Sequence, residues 1–429
     1  MHKKLLTLAV AGALAAPGIA LAQSSVEVYG FVHMALGKWK FSESTAGIPS
    51  VSKWDVASSA SNVGVRGRES LGGGLTAWFQ VETNAPMERS NNIAHTSGFA
   101  SRNSAVGLQG AFGNVFLGQW STPYADLGGL WSVGTVGPWG PLTSIINRRE
   151  TTGTNNNFNC SNTASGTGAA VGGNCDGVEG GAGVGHAFWR RVSNSVFYQS
   201  TVFSGVQLKM AWQPNQEKST QTTGGSLAQD PSLWSTAVQW SGMGGRARAG
   251  VGWDRHKDYT TVGKTDTGWT VVGGFNFGVV DVGVAYERMT YKAANSDCKA
   301  RQYAVAIAVP VGAGAIRGSY SIAKDIDGVY SNAAAPAGVT SLNANCGALP
   351  TAAAPVNDNG ARQWNIGYEH RFSKRTTVGV GYAAIRNDAG AGGNAFTWSG
   401  APTTQSGASL AVPLGSDIST YFVSMIHRF

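Results

Sequence analysis

Apolar and polar residues alternate along this chain in stretch after stretch of about ten, each bounded by a turn or a loop. In Leu75–Glu82, for example, Leu75, Ala77, Phe79 and Val81 fall on one face of a strand, and Thr76, Gln80 and Glu82 on the other. One face suits lipid and the other water. The pattern predicts sixteen strands, at 26–36, 59–68, 74–83, 103–111, 113–120, 191–200, 204–213, 233–242, 245–255, 267–277, 279–289, 301–311, 313–323, 361–371, 375–386 and 418–429.

The gaps between these strands sort into two classes. Turns near Gly72-Gly73, Phe112-Gly113, Phe203-Ser204, Met243-Gly244, Gly278, Gly312 and Ser373-Lys374 are tight, as antiparallel hairpins require. The other gaps are long, and the longest covers about residues 121–190. With strands of alternating direction, all tight turns fall at one end and all long loops at the other. A free sheet edge cannot be satisfied in lipid, so the last strand must pair with the first. The expected fold is therefore an all-β transmembrane antiparallel barrel of about sixteen strands. A soluble sandwich also has short alternating strands, but it would charge its exposed face. Here the polar face is mostly Gly, Ser, Thr, Asn and Gln with occasional Arg. Aromatic residues near strand ends (Tyr29, Trp120, Tyr198, Trp212, Trp234, Trp240, Trp253, Trp269, Tyr286, Tyr303, Trp364 and Tyr368) fit headgroup depth.

The amino terminus narrows the picture further. Lys3 and Lys4 precede an apolar run from Leu5 to Ala16, and Ala20-Leu21-Ala22 offers small residues for cleavage. Residues 1–22 read as a secretory signal peptide, leaving 23–429 as a single barrel domain. Their removal takes the formal charge from +8 to +6. Basic residues are scattered along the strands, without the compact patch of a nucleic-acid-binding protein, so no nucleic-acid partner is expected. Only 13% of residues are charged and 60 are glycine, a composition that fits a lipid-facing sheet.

Several stretches resemble one known family. The terminal Tyr421-Phe422-Val423-Ser424-Met425-Ile426-His427-Arg428-Phe429 resembles the last strand of Gram-negative general porins. Ser25–Gly30, Ser59–Gly67, Arg102–Leu108, Gly113–Gly118 and Gly367–Thr376 resemble porins of β-proteobacteria and Neisseria. In order and spacing these stretches span nearly the whole mature chain. The resemblance implies sixteen strands, a homotrimer, and a third long loop folded into the lumen. It also implies a Gram-negative outer-membrane location, with outer-membrane lipid and lipopolysaccharide as neighbours and Phe429 as the signal read by the barrel-assembly machinery. Independently, barrels of this strand number enclose an aqueous channel.

The segment 121–190 is then the expected constriction loop. Its start, Ser121–Asp126, resembles the family's, and Arg148, Arg149, Glu150, Asp176 and Glu179 follow. Arg66, Arg68, Arg102, Arg190, Arg191, Lys209, Arg246, Arg248, Arg301, Arg317 and Arg362 lie on, or at the ends of, faces assigned to the lumen. An Arg facing lipid at mid-depth costs roughly 2–4 kcal/mol, which favours that placement. A low-dielectric wall focuses such charges into the bore and favours small anions. By resemblance, Arg102 and Arg190 or Arg191 belong to a basic ladder faced by Glu82. Asn62 is a departure, since that position is often Arg in these porins, and the loss weakens the ladder.

Four cysteines lie in long connections or just before a strand. Cys160–Cys175 would clip the third loop, and Cys298–Cys346 would tie neighbouring loops, out of three possible pairings. No Cys-x-x-Cys or His-pair spacing supports a metal site, and no cofactor is expected. No Gly-x-Ser-x-Gly elbow or His-Glu-x-x-His helix marks an enzyme. The sequence thus points to passive diffusion of small hydrophilic solutes and ions with a modest anion preference. The alternatives are a substrate-selective channel, or a plugged barrel that acts as an enzyme or adhesin.

Overall fold

The computed structural model describes residues 25–44, 47–85, 87, 99–134, 136, 137, 139–141, 188–214, 230–258, 263–292, 297–325, 360–389 and 415–429. One antiparallel sheet of seventeen strands contains β1 (Ser25–Phe41), β2 (Val51–Ser58), β3 (Asn62–Gly72), β4 (Leu75–Asn84), β5 (Ser104–Gly110) and β6 (Gly113–Ser121). It continues with β7 (Arg191–Gln199), β8 (Val206–Gln213), β9 (Ser232–Gly242), β10 (Ala247–Lys257), β11 (Thr265–Asn276) and β12 (Asp281–Lys292). The last strands are β13 (Asp297–Val311), β14 (Gly314–Ala323), β15 (Ala361–Arg371), β16 (Thr376–Asn387) and β17 (Ile418–Arg428). β17 pairs back onto β1, from Phe31↔Arg428 to Phe41↔Ile418, and the Phe429 amide donates to the Gly30 carbonyl at 3.1 Å. The sheet is closed.

Seventeen strands make a sixteen-stranded barrel because β2 and β3 are two halves of one stave, both antiparallel to β1. At the break Ala60 takes φ +52°. The Ser59 amide reaches the His33 carbonyl (2.9 Å) and the His33 amide reaches Ser61 Oγ (2.9 Å), so backbone groups freed by the break are satisfied. The alternation in the sequence predicts a connection over 37–58. Instead β1 runs on to Phe41, with Trp39 and Phe41 buried and Lys38 and Lys40 exposed on the opposite face. The period of two persists there but its faces exchange character: Lys38 and Lys40 follow Leu36 on the outward face, and Trp39 and Phe41 follow His33 and Ala35 on the inward one.

The tight turns fall where the spacing predicts. Gly72, Gly73 and Gly74 have φ of +84°, +60° and +78°, a backbone that a Cβ would strain. At the opposite end the strands outrun the expected limits: β12 reaches Lys292 and β13 starts at Asp297, so Cys298 lies inside a strand, opposite Tyr291. Cys160, Cys175 and Cys346 lie outside the described residues, as do the proposed signal peptide and Arg148 and Arg149.

Two expectations about faces are corrected. Tyr29 and Trp120 do not join the aromatic belt: Tyr29 donates to Glu82, and Trp120 packs with Trp78 and Phe116 on the inner face. Arg301 and Arg362 do not face the lumen. Arg301 shares its face with exposed Tyr303, Val305 and Ile307, and Arg362 with exposed Ile366. Both sit at the loop-side end of their strands, where an outward Arg costs only about 0–1 kcal/mol.

Candidate functional site

The chain beyond β6 crosses the inside of the barrel. Thr122 caps α1 (Pro123–Asp126), its side chain accepting from the Ala125 amide, and Pro123 supplies a fixed φ at the helix start. A second turn, α2 (Gly128–Trp131), follows directly. Tyr124 donates its amide to Ser235 Oγ (3.2 Å) and its hydroxyl to Glu287 (2.7 Å). Leu127 then lies over Gly250 and Gly252, and the Trp131 carbonyl lies on Gly283. Arg248 donates to the Leu130 carbonyl (2.9 Å) and Arg317 to that of Val133. Val136 reaches Gly367 and Gly379, and Trp139 ends the path between Trp39 and Phe422, with ring centroids 4.8 and 5.0 Å away.

This belt supplies the molecule's core. Five of the ten largest fully buried side chains among the described residues (Tyr124, Leu127, Trp131, Trp139 and Phe188) come from 121–190, so the described parts of that segment are packed against the wall and not suspended in the bore. Each such side chain stabilises the arrangement by roughly 1.5–3 kcal/mol of transfer free energy. The wall makes room with small inward residues: Gly250, Gly252, Gly268, Gly283, Ala285, Ala306 and Gly367. The glycines read from composition as lipid-facing thus include a track beneath the loop.

The opposite wall is charged. Glu27, Tyr29, Arg66, Glu82 and Arg102 form one chain of contacts. Arg66 pairs with Glu27 and lies over the Tyr29 ring at 4.9 Å, Tyr29 donates to Glu82 (3.0 Å), and Arg102 pairs with Glu82 and donates to Asn84 (3.1 Å). Asn62, on β3, donates to the Ala60 carbonyl at 3.1 Å and is buried, supporting the strand break. Arg191 donates to Asn103 at 2.7 Å. Arg68 is exposed nearer the tight turns and has no ion pair among the described residues.

Lys209 and Asp126 (3.2 Å) bridge the open wall and α1. Burial raises the Asp126 carboxyl above its ordinary range, against the lowering pull of Lys209 and then Arg191. Burial likewise holds the Tyr124 phenol above its usual value, with Glu287 adding to the rise. Arg190 departs from its expected exposure: it is buried beside the returning limb of the loop, within electrostatic reach of Asp254. Arg246 sits at a tight turn, where it donates to the Asn276 carbonyl.

The sequence reading missed the acids that face these bases: Glu27 for Arg66, Asp281 for Arg248 (2.7 Å) and Glu369 for Arg317 (2.8 Å). Face parity on adjoining strands was the available signal. Among the described residues, no group of three or more His, Cys, Asp or Glu is placed to hold a metal ion.

Known proteins share this architecture. Outer membrane porin protein 32 of Delftia acidovorans is 26% identical over 397 residues, covering 90% of each chain. The major outer membrane protein P.IB of Neisseria gonorrhoeae is 33% identical over 132 residues, covering 30% of this chain and 34% of that protein. The solved anion-selective porin from Comamonas acidovorans superposes with a TM-score of 0.63 at 23% identity, covering 95% of this chain and all of that one. The sequence profile of the family described as Gram-negative porin matches residues 7–390. With a closed barrel and an inward loop to set beside that match, the chain belongs to the Gram-negative porin family, whose members are water-filled channels of the outer membrane.

Proposed function

We propose that the barrel conducts small hydrophilic solutes and ions passively, without catalysis, and that it prefers anions modestly. Segment 121–190 sets the constriction in this reading, with Arg66, Arg68, Arg102, Arg191 and Lys209 on one side of the water path and the loop on the other. The observation that carries the preference is the basic surplus on an inner face enclosed by a closed sheet, where Arg68 stands exposed without an ion pair among the described residues beside the chain Glu27–Arg66–Tyr29–Glu82–Arg102. Pairing limits its strength, since each ion pair is nearly neutral at a distance and the surplus comes from groups such as Arg68. The relative solved from Comamonas acidovorans is itself titled anion-selective.

By the same reading the protein works as a homotrimer, Phe429 marks the chain for barrel assembly, and Cys160–Cys175 and Cys298–Cys346 form disulfides. A solved OmpT of Vibrio cholerae is described in a trimer form and has this fold (TM-score 0.54). The reversal potential in planar bilayers under a potassium chloride gradient tests the selectivity. A potential of the anion-selective sign is expected, and a cation-selective sign refutes the proposal. A substrate-selective channel would instead show conductance that one solute saturates.

A further inference from the structure

The arginines of the inner face divide by the company they keep. Arg66, Arg102, Arg248 and Arg317 each pair with an acid, namely Glu27, Glu82, Asp281 and Glu369. Arg371, Arg375 and Arg428 do not. All three are exposed, and their side chains make no ion pair or hydrogen bond among the described residues.

Parity places the three on the bore side, between the belt and the tight turns. Arg371 continues the face of Gly367, which Val136 of the belt approaches, and of Glu369, whose partner Arg317 holds the Val133 carbonyl. Arg428 continues the face of Phe422, which packs on Trp139, and of Ser424, and it lies within electrostatic reach of the inward His33. Arg375 precedes β16 on the face of Thr377 and Gly379, and Thr377 is the cross-strand partner of Arg371. The Arg428 amide donates to the Arg375 carbonyl at 2.9 Å, so these two residues stand side by side where the ladder ends. The turn itself is pinned, because Ser373 Oγ accepts from the amides of Arg375 and Thr376 at 3.1 and 3.0 Å. Residues of the opposite parity, His370 in ring contact with Phe372 and His427 bonded to Thr376, take the outward side.

Position and charge count define what fits there. The tight-turn end of an outer-membrane barrel faces the periplasm. Adjacent strands lie roughly 4.8 Å apart, so three guanidinium groups at the ends of neighbouring β15, β16 and β17 share a patch about 10 Å wide. The low-dielectric wall focuses their field into the mouth. A guanidinium fork holds carboxylate or phosphate oxygens in pairs, which a spherical chloride cannot exploit. Three such groups facing water therefore match a compact oxyanion of several charges, and their inward direction offers them to a solute and not to a membrane surface.

We propose that Arg371, Arg375 and Arg428 form an anion-binding station at the tight-turn mouth, which takes compact multivalent oxyanions from the periplasmic side and is separate from the constriction at Arg102. The inference rests on the bore being an open aqueous channel and is independent of which ion that channel prefers.

The test titrates full-length protein in neutral detergent with pyrophosphate, citrate and acetate by calorimetry, a readout that needs no conduction. Pyrophosphate and citrate should bind, and acetate should bind at least about tenfold more weakly. Arg371→Gln with Arg428→Gln should weaken pyrophosphate binding about thirtyfold, and Arg371→Lys with Arg428→Lys only severalfold, because the charges remain and the forks are lost. If the double variant fails to fold, Arg428→Gln alone carries the test with a smaller loss. In bilayers holding the protein in one direction, pyrophosphate should reduce the chloride current at about tenfold lower concentration from the turn side than from the loop side, a difference that the Gln variants remove. Unchanged pyrophosphate binding in the Gln variants, or acetate binding as tightly, overturns the station. Binding lost in Arg102→Gln but kept in the turn-side variants assigns the anion to the constriction and also overturns it. Absence of any current refutes the conduction reading alone, and calorimetry then still decides the station.

Discussion

The two sides of the bore are built from opposite materials. From β9 round to β17 the inner face is glycine and alanine over which the Tyr124–Trp139 belt lies, and its polar groups, such as Glu287, are sealed. From β3 to β5 no described belt covers the wall, and it presents Arg66, Glu82 and Arg102 linked through Tyr29. A wall that receives backbone needs room, whereas a wall that faces water needs charge. Inward glycine therefore marks the covered side; inward arginines stand on both, Arg248 and Arg317 bound to belt carbonyls and Arg66 and Arg102 on the wall that the described belt leaves open.

Adding bulk is the sharpest way to break the covered side. A Cβ at Gly283 would overlap the Trp131 carbonyl, a backbone atom that cannot swing aside. Gly283→Val should lift α2 off the wall, cost about 3 kcal/mol, and disturb single-channel current. Gly273, on the neighbouring strand but facing outward, has only ordinary neighbours at 3.6 and 3.9 Å. Gly273→Val should change stability by less than about 0.5 kcal/mol. Urea unfolding in lipid vesicles measures both, and equal losses would mean that the belt does not depend on the glycine track.

One substitution made on both walls tests the same contrast more gently. Tyr124 and Tyr29 each donate a hydroxyl hydrogen to a glutamate, at 2.7 and 3.0 Å. Glu287 is fully buried, so Tyr124→Phe leaves an unmet acceptor and should cost about 1–3 kcal/mol. Glu82 keeps Arg102 and has water nearby, so Tyr29→Phe should cost less than about 1 kcal/mol. Comparable losses would contradict the division into sealed and wet walls.

The barrel was legible in the sequence because period-two alternation and tight turns are local signals. Leu75–Glu82 announces its two faces, and Phe203-Ser204 announces its turn. The purpose of the glycines was not legible, since a glycine beneath a loop and one facing lipid read alike; only the fold brings Leu127 within 2.6 Å of where a Gly250 Cβ would stand. Arg301 and Arg362 face outward because the lipid penalty on Arg holds at mid-depth and fades at strand ends, so the parity set by Tyr303 and Ile366 decides their side. Arg102 and Glu82 pair across neighbouring elements, while Glu27, Asp281 and Glu369 become visible as partners only through register.

Charge on the wet wall should control selectivity. Arg102→Glu places a second carboxylate beside Glu82 and reverses the local field, so the anion preference should fall severalfold or invert. The reversal potential under a salt gradient reads this directly. No shift would remove Arg102 from the permeation path.

The smallest expected effect lies where the two walls meet. Asp126 pairs with Lys209 at 3.2 Å, and burial holds its carboxyl above the ordinary carboxylate range. A raised pKa means that the folded protein binds this proton more tightly than the unfolded chain. The group's contribution to stability is thus fullest below the unfolded value and is lost as pH rises through the folded one. For permeation, acidification neutralises Asp126 before exposed carboxylates and leaves the Lys209 charge uncompensated, so anion preference should grow as the solution is acidified. Asp126→Asn should show the larger preference already at neutral pH and lose that part of the titration. A variant whose selectivity follows pH as the wild type does would show that Lys209 acts on permeating ions independently of Asp126, and the meeting point of the walls would carry no switchable charge.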